Sequence, residues 1–327
     1  MYETYYGLSE KAFRKTPDPR YLYLNEVYEE ALEQLLYAVE EWELALLTGE
    51  VGSGKTLLSR AMIDRVGERY EVGMILNPRL PPRQFLAAMA RELGVVEPRF
   101  HAGDLLDQIH ERLLAIEDGG RAALLVVDEA HLIPGRPTFE EIRLLTNFQL
   151  DDRNLIAIVL IGQPELRERL RHPSHRALTQ RIGAQFHLSP LSEADTCAYV
   201  RHRLGVAGAS RPLFTEAALR RLHAAAAGIP RVVNHLATQC LLEGMGRELQ
   251  AIDESVVEAV AAGQLAAEPP RPGRRQAAEG RRTPRLDRRT ENAGSASPAD
   301  RFGKAAPAAG SSRRAGETKA GGTEKGN

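Results

Sequence analysis

The sequence predicts an α/β fold: a mostly parallel sheet flanked by helices, then a small all-helical domain and a disordered tail. Three observations carry this reading. Between Leu44 and Leu188, short apolar runs alternate with segments of helical periodicity, as expected of strands covered on both faces by helices. After Ser189 the pattern is helical throughout, as far as Ala262. From Ala266 to Asn327 large apolar side chains almost vanish, and nothing there offsets an ordering cost of roughly 1–2 kcal/mol per residue.

Taken in order, Tyr2–Asn25 is dense in Tyr, Phe and Pro and too irregular for a long helix; it reads as an arm packed on the core or on a partner. Tyr28–Trp42 carries Leu32, Leu35, Leu36 and Val39 at helical spacing. Leu44–Thr48 is a short strand, Gly49–Thr56 a glycine-rich loop and Leu57–Arg69 a helix. A second strand, Val72–Asn77, is followed by prolines 78, 81 and 82 and by helices at Gln84–Leu93 and Asp104–Asp118. Strand Ala122–Asp128, helix Phe139–Phe148, strand Leu155–Gly162 and helix Pro164–Leu170 follow. A last strand is expected at Ala184–Leu188. The helical domain then reads as Ser192–Ala207, Thr215–Ala227, Pro230–Gly244 and Asp253–Ala262. Ser192 and Thr215 are N-caps, and Pro230 is a first-turn proline. The expected divisions are an arm at 1–25, the α/β domain at 26–189, the helical domain at 190–265 and the tail at 266–327.

Charge divides the chain in the same way. The net charge of −1 hides a tail of +7 and a remainder of −8. Such a tail is either a solubilising extension or an electrostatic tether to anionic lipid, nucleic acid or an acidic partner. The two cysteines, Cys197 and Cys240, sit in apolar helical patterns without a CxxC partner. They read as buried thiols in a reducing compartment and imply no metal cluster. The N-terminus lacks a basic-then-apolar leader, and no apolar run reaches membrane-spanning length. The expected location is cytoplasmic, at most peripheral to the inner membrane through a partner.

Gly49-Glu50-Val51-Gly52-Ser53-Gly54-Lys55-Thr56 fulfils GxxxxGK[ST] between a strand and a helix. Its glycines let backbone N–H groups turn toward phosphate oxygens, and the helix opened by Lys55, Thr56 and Leu57 adds its N-terminal donors. Lys55 is expected at the β and γ phosphates of ATP, and Thr56 on Mg²⁺. The apolar run ending in Val127 delivers Asp128 and Glu129 to the C-terminal end of a strand, where open α/β sheets bind ligands. Asp128 is expected to hold the metal through water, and Glu129 to orient and deprotonate the attacking water. The spelling Asp128-Glu129-Ala130-His131 also occurs in helicases, but those need a second nucleotide-binding domain, which about 75 helical residues cannot provide. Gln163, at the end of the fourth strand, could sense the γ phosphate or position the attacking water. Arg181, with Arg176 as competitor, could reach the nucleotide of a neighbouring subunit. Arg231 lies in the first turn of a helix, where a cation is unfavourable unless an anion is near.

Together these motifs resemble a known family, the bacterial AAA+ ATPases of the general secretion pathway A type. They are also called ExeA-like and include the ATPase of MSHA pilus biogenesis. The resemblance spans roughly residues 1–262. Its opening is Tyr5-Tyr6-Gly7-Leu8, Phe13, Pro17-Asp18-Pro19 and Tyr21-Leu22-Tyr23. Its middle is the glycine loop, Asp128–His131 and Ile161-Gly162-Gln163-Pro164-Glu165-Leu166. Its end is Gln180-Arg181-Ile182, Phe186–Leu191 and Gly228-Ile229-Pro230-Arg231 with Asn234. The resemblance implies an AAA+ fold with a helical lid, with Lys55 and Thr56 as Walker A and Asp128 and Glu129 as Walker B. Gln163 falls near sensor 1, Arg181 matches an arginine finger acting in trans within a homo-oligomer, and Arg231 matches sensor 2. It further implies ATP hydrolysis coupled to remodelling a secretion, pilus or polysaccharide-export assembly, with a membrane-anchored or envelope partner. Longer members continue into a transmembrane helix and a peptidoglycan-binding domain, whereas this chain continues into the polar tail. The same ATPase type resembles DNA transposition helpers, and the basic tail would suit phosphate contacts. The tail has no aromatic platform for single strands, however, and the acidic remainder disfavours DNA. A third reading is a nucleotide-gated scaffold with negligible turnover.

Overall fold

The computed structural model describes residues 1–14 and 18–267. The expected disordered tail therefore lies outside the described residues from position 268 onward, as does Pro17 of the opening motif.

Five strands form one parallel sheet: β1 (Leu44–Gly49), β2 (Tyr70–Ile75), β3 (Ala122–Val127), β4 (Ile156–Gly162) and β5 (Ile182–Leu188). Their order is β2-β3-β4-β1-β5, so β1 is central, between β4 and β5. Alternate residues of each central strand point to opposite faces. Ala45 and Leu47, Leu124 and Val126, and Ala157, Val159 and Ile161 enter one core cluster. Leu44 and Leu46, Leu125 and Val127, and Ile156, Ile158 and Leu160 enter the other. The continuous apolar runs of the sequence follow from this two-sided burial, because neither face is left for polar residues.

The first face is covered by α2 (Glu26–Glu40) and α3 (Lys55–Val66). The second is covered by α4 (Pro82–Glu92), α5 (Ala102–Asp118), α6 (Arg136–Leu145), α7 (Pro164–Arg171) and the single turn α8 (Arg176–Thr179). Helix starts follow local caps more closely than the apolar spacing did. Asn25 accepts from the Tyr28 N–H at 3.0 Å, which moves the start of α2 back to Glu26. The glycine loop hands over directly to α3 at Lys55, two residues earlier than expected.

The lid comprises α9 (Glu193–Val206), α10 (Glu216–Ala226), α11 (Pro230–Gly246) and α12 (Glu254–Ala267). Ser192 and Thr215 cap α9 and α10 through bonds from the Asp195 and Ala218 N–H groups. α12 continues to Ala267, two residues into the expected tail; Ala266 and Ala267 are strong helix formers and extend it. The lid, the arm and the first face of the sheet share a single hydrophobic cluster.

The arm forms no long helix, as read from the sequence, but opens with a short one, α1 (Tyr2–Tyr6), closed by Gly7 at φ 72°. It packs on the core: Tyr2, Tyr6, Phe13 and Tyr21 are buried. The Ser9 N–H and hydroxyl both donate to the Ala207 carbonyl, at 2.8 and 2.9 Å. The Arg203 guanidinium, 6% exposed, donates to the Ala12 carbonyl and to the Tyr199 hydroxyl and packs against the Phe13, Tyr21 and Tyr199 rings.

Candidate nucleotide-hydrolysis site

A cavity of about 780 Å³ opens at the C-terminal end of β1, between the sheet, the arm and the lid. The chain leaving β1 turns at Gly52 (φ 85°) and Gly54 (φ 95°), a left-handed backbone that L side chains adopt only with strain. Gly49 is required for a different reason. A Cβ there would meet Ser53 Oγ at 2.8 Å and the Leu188 carbonyl at 2.9 Å. Gly54 then caps α3, whose first residues are Lys55 and Thr56.

The Lys55 ammonium donates to the Gly49 and Glu50 carbonyls, each at 2.8 Å, which holds it across the mouth of the loop. Burial pushes its pKa below the usual lysine range, against the pull of Glu129, Asp128 and Glu50 and together with repulsion from Arg231. The Ser53 hydroxyl is buried and without a hydrogen-bond partner within the protein. Such an orphan suits a site built to receive a ligand oxygen. The Tyr28 hydroxyl from α2 donates to the Ser53 carbonyl and so ties the loop to the helix beneath it.

The second acidic motif comes to the same place. Thr56 Oγ1 donates to Asp128 Oδ2 at 3.3 Å across 72 positions of sequence. Asp128 is 9% exposed, and its Oδ1 accepts from the Glu129 N–H at 2.8 Å. Glu129 has a left-handed backbone, φ 52° and ψ 34°, which directs its partly exposed carboxylate into the cavity. Glu129 Oε2 lies 3.3 Å from His131 Nδ1. His131 Nε2 lies 2.9 Å from the side-chain nitrogen of Gln163, the residue that caps α7. Arg169 donates to the carbonyls of His131 and Ile133 at 2.7 and 2.8 Å and packs on Phe139.

Among the expected site residues, Val51, Gly52, Ser53, Gly54, Lys55, Thr56, Leu57, Glu129, Gln163 and Arg231 line the cavity. Gly49 and Glu50 act on it through Lys55, and Asp128 through Thr56. Arg231 arrives from α11, and its backbone N–H donates to the Gly52 carbonyl at 3.2 Å. Arg181 is elsewhere. It precedes Ile182, the partner of Leu44, at the far end of β1 from the loop, about 20 Å away at ~3.3 Å per residue. Its guanidinium bonds Asn147 Oδ1 at 3.0 Å. Arg176, its competitor, is exposed.

The sequence reading missed the arm and lid contributions: Leu22, Tyr23, Tyr199, Arg203 and Asn234 also line the cavity. The Tyr199 hydroxyl donates to Asn234 Oδ1 at 2.9 Å, which links α9 to α11 beside the loop. Leu22, Tyr23 and Asn234 belong to the opening and closing motifs of the sequence but carry no site role there, and Tyr199 and Arg203 lie in no motif; each reaches the cavity from a segment remote from the glycine loop.

A family model described as an AAA domain matches residues 40–170. General secretion pathway protein A of Aeromonas hydrophila is 44% identical over 250 residues, which cover 76% of this chain and 45% of that protein. The chain belongs to the AAA+ ATPases of the general secretion pathway A type. It spans less than half the length of that relative. Among solved structures, the chain is similar to the Aeropyrum pernix ORC2 protein in ADPNP-ADP complexes, with a TM-score of 0.61 and 15% identity over 80% of this chain and 72% of that one. It is also similar to Drosophila ORC bound to DNA, with a TM-score of 0.58 and 17% identity over 79% and 65%. A third similar structure is Cdc6p of Pyrobaculum aerophilum, with a TM-score of 0.56 and 17% identity over 76% and 68%. At these identities the likeness concerns the fold, a parallel sheet with a helical lid.

A divalent cation fits the residues present. Among the described residues no three His, Cys, Asp or Glu side chains form a metal cluster. A Mg²⁺ of the phosphate-bound kind needs only a hydroxyl and a carboxylate from the protein, because waters and phosphates complete the shell. Thr56 and Asp128, already in contact, could supply those two groups.

Proposed function

We propose that this ATPase hydrolyses ATP at the Gly49–Leu57 loop and couples the hydrolysis to remodelling of a cell-envelope secretion, pilus or polysaccharide-export assembly. The observation that carries the hydrolytic half is the meeting of Thr56 and Asp128 beside Lys55 and Glu129. Lys55 exchanges the Gly49 and Glu50 carbonyls for phosphate oxygens. Thr56 and Asp128 hold Mg²⁺, which when bound neutralises phosphate charge. Glu129 takes the proton of the attacking water. Gln163, above the same cavity, senses the γ phosphate. Arg231 brings the lid to the nucleotide, and residues 190–265 act as a lid domain on the 26–189 unit.

Arg181 lies too far from its own loop to serve it, which supports action in trans within a homo-oligomer. The envelope half of the proposal rests on the likeness to general secretion pathway protein A. Among the described residues no helix is long and apolar enough to cross a membrane. We place the ATPase on the cytoplasmic side of the inner membrane, attached through a partner, on the strength of the likeness to general secretion pathway protein A. The DNA-binding alternative rests on the basic tail, outside the described residues.

The test is steady-state ATP turnover by the full chain over a range of protein concentrations, beside Lys55→Ala and Arg181→Ala. Specific activity should rise with concentration for the wild type, stay flat for Arg181→Ala and vanish for Lys55→Ala. Wild-type turnover no faster than Lys55→Ala at every concentration would end the enzymatic reading. A Glu129→Gln chain that still supported the biological output would favour the nucleotide-gated scaffold instead.

A further inference from the structure

We infer that His131 is a positioning residue that couples Gln163 to Glu129, so that the γ-phosphate sensor and the general base move as one unit. The inference rests on the hydrolytic reading above and adds a residue to it. In the sequence reading His131 has no role beyond the spelling of its motif.

Geometry makes the case in three steps. First, the backbone of Glu129 is fixed. Its φ is 52° and its N–H is held by Asp128 Oδ1, so the movable part is the carboxylate. Among the described residues that carboxylate has one side-chain partner, His131 Nδ1. Second, the imidazole is itself held. Its side chain is 12% exposed, and Arg169 clamps the carbonyls of His131 and Ile133. Third, the other ring nitrogen faces the Gln163 amide at 2.9 Å, while the Gln163 backbone N–H reaches Nδ1 at 3.4 Å.

A neutral imidazole has one donor and one acceptor, so these contacts cannot all form together. With the proton on Nδ1, His131 donates to Glu129 and accepts from the Gln163 side chain. A single donor chain then runs from sensor to base. With the proton on Nε2, Nδ1 accepts from the Gln163 backbone and Glu129 is released. Which arrangement holds is set by where the Gln163 amide points. A ligand oxygen that draws the amide into the cavity therefore changes the support of the base. The third member of a nucleophile–base arrangement commonly orients the second in this way without touching the substrate.

The experiment uses the full chain, with Mg-ATP turnover and, separately, nucleotide affinity measured by calorimetry. The variants are His131→Ala, His131→Gln, Gln163→Ala and the His131→Ala/Gln163→Ala double mutant. Thermal melts accompany each. His131→Ala should lower kcat about tenfold to a hundredfold, a share of the ~10²–10⁴-fold that a positioned base contributes. Its nucleotide affinity should stay within about twofold, because the interaction acts on the base and not on binding. His131→Gln, which can still donate to Glu129 and accept from Gln163, should recover most of that loss. The double mutant should be no slower than the slower single mutant, since both changes cut one chain. An unchanged kcat in His131→Ala, multiplicative losses in the double mutant, or affinity falling in step with kcat would each overturn the inference while leaving the hydrolytic reading intact. If the wild type itself shows no turnover above Lys55→Ala, the hydrolytic reading fails and takes this inference with it.

Discussion

Gly52 is where the loop and the lid meet, and replacing it by alanine separates two costs that the structure makes distinct. The backbone at Gly52 has φ 85°, which costs an L side chain about 1–2 kcal/mol. The added methyl would also overlap the Cβ of Arg231 and approach its Cδ and Cγ to 3.2 and 3.4 Å. That Cβ is anchored in the first turn of α11 and cannot rotate away, so the loop and helix must part. Overpacking of this kind costs about 1–3 kcal/mol, including strain on the Arg231 N–H bond to the Gly52 carbonyl. Gly52→Ala should therefore destabilise the protein by roughly 2–5 kcal/mol. In an Arg231→Gly background the overlap disappears and only the backbone cost of about 1–2 kcal/mol should remain. Urea unfolding of the four proteins of the cycle, followed by the fluorescence of Trp42, the single tryptophan, gives the coupling energy. Circular dichroism should give coincident transitions. Equal costs of Gly52→Ala in both backgrounds would refute the claim that the lid helix rests on the loop.

Two further outcomes follow from buried groups. Arg203→Met removes the donors to the Ala12 carbonyl and the Tyr199 hydroxyl; the loss of about 2–3 kcal/mol should lower Tm by roughly 4–12 °C, and early proteolysis should move to the arm, whereas an unchanged melt and digestion pattern would show that Arg203 does not hold it. Burial raises Tyr2 and Tyr6 from 10.0 to about 12 and Cys240 from 9.0 to about 12. The native state keeps protons that the unfolded chain sheds, so their stabilisation is full below pH 9 and is lost as pH rises toward 12. The unfolding free energy from urea titrations should therefore fall from pH 9 to 11, and Cys240→Ala should make that fall shallower by up to about 1.4 kcal/mol per pH unit; an identical slope would exclude the thiol as a contributor.

What the sequence made legible, and what it hid, divides by the range of the interactions involved. The glycine loop and Asp128–Glu129 could be read because their chemistry is spelled by adjacent residues between a strand and a helix. The sheet could be read because strands buried on both faces become unbroken apolar runs. Helix ends were misplaced where a cap decided them: Asn25 starts α2 ahead of the first apolar repeat. The walls of the cavity were not legible, because Tyr28, Tyr199 and Arg203 matter only through partners 4 to 191 positions away. Arg203 in particular looks like any helix-surface arginine until the arm folds over it. The backbone of Glu129 is the sharpest case. A left-handed glutamate is locally unfavourable by about 1 kcal/mol or more, so no propensity points to it. It persists because its N–H is held by Asp128 and the Ala130–Leu132 turn beyond it is clamped by Arg169. The strain that aims the carboxylate is thus maintained by residues spread over some forty positions, and that is why the motif pointed to Glu129 but not to how its carboxylate is held.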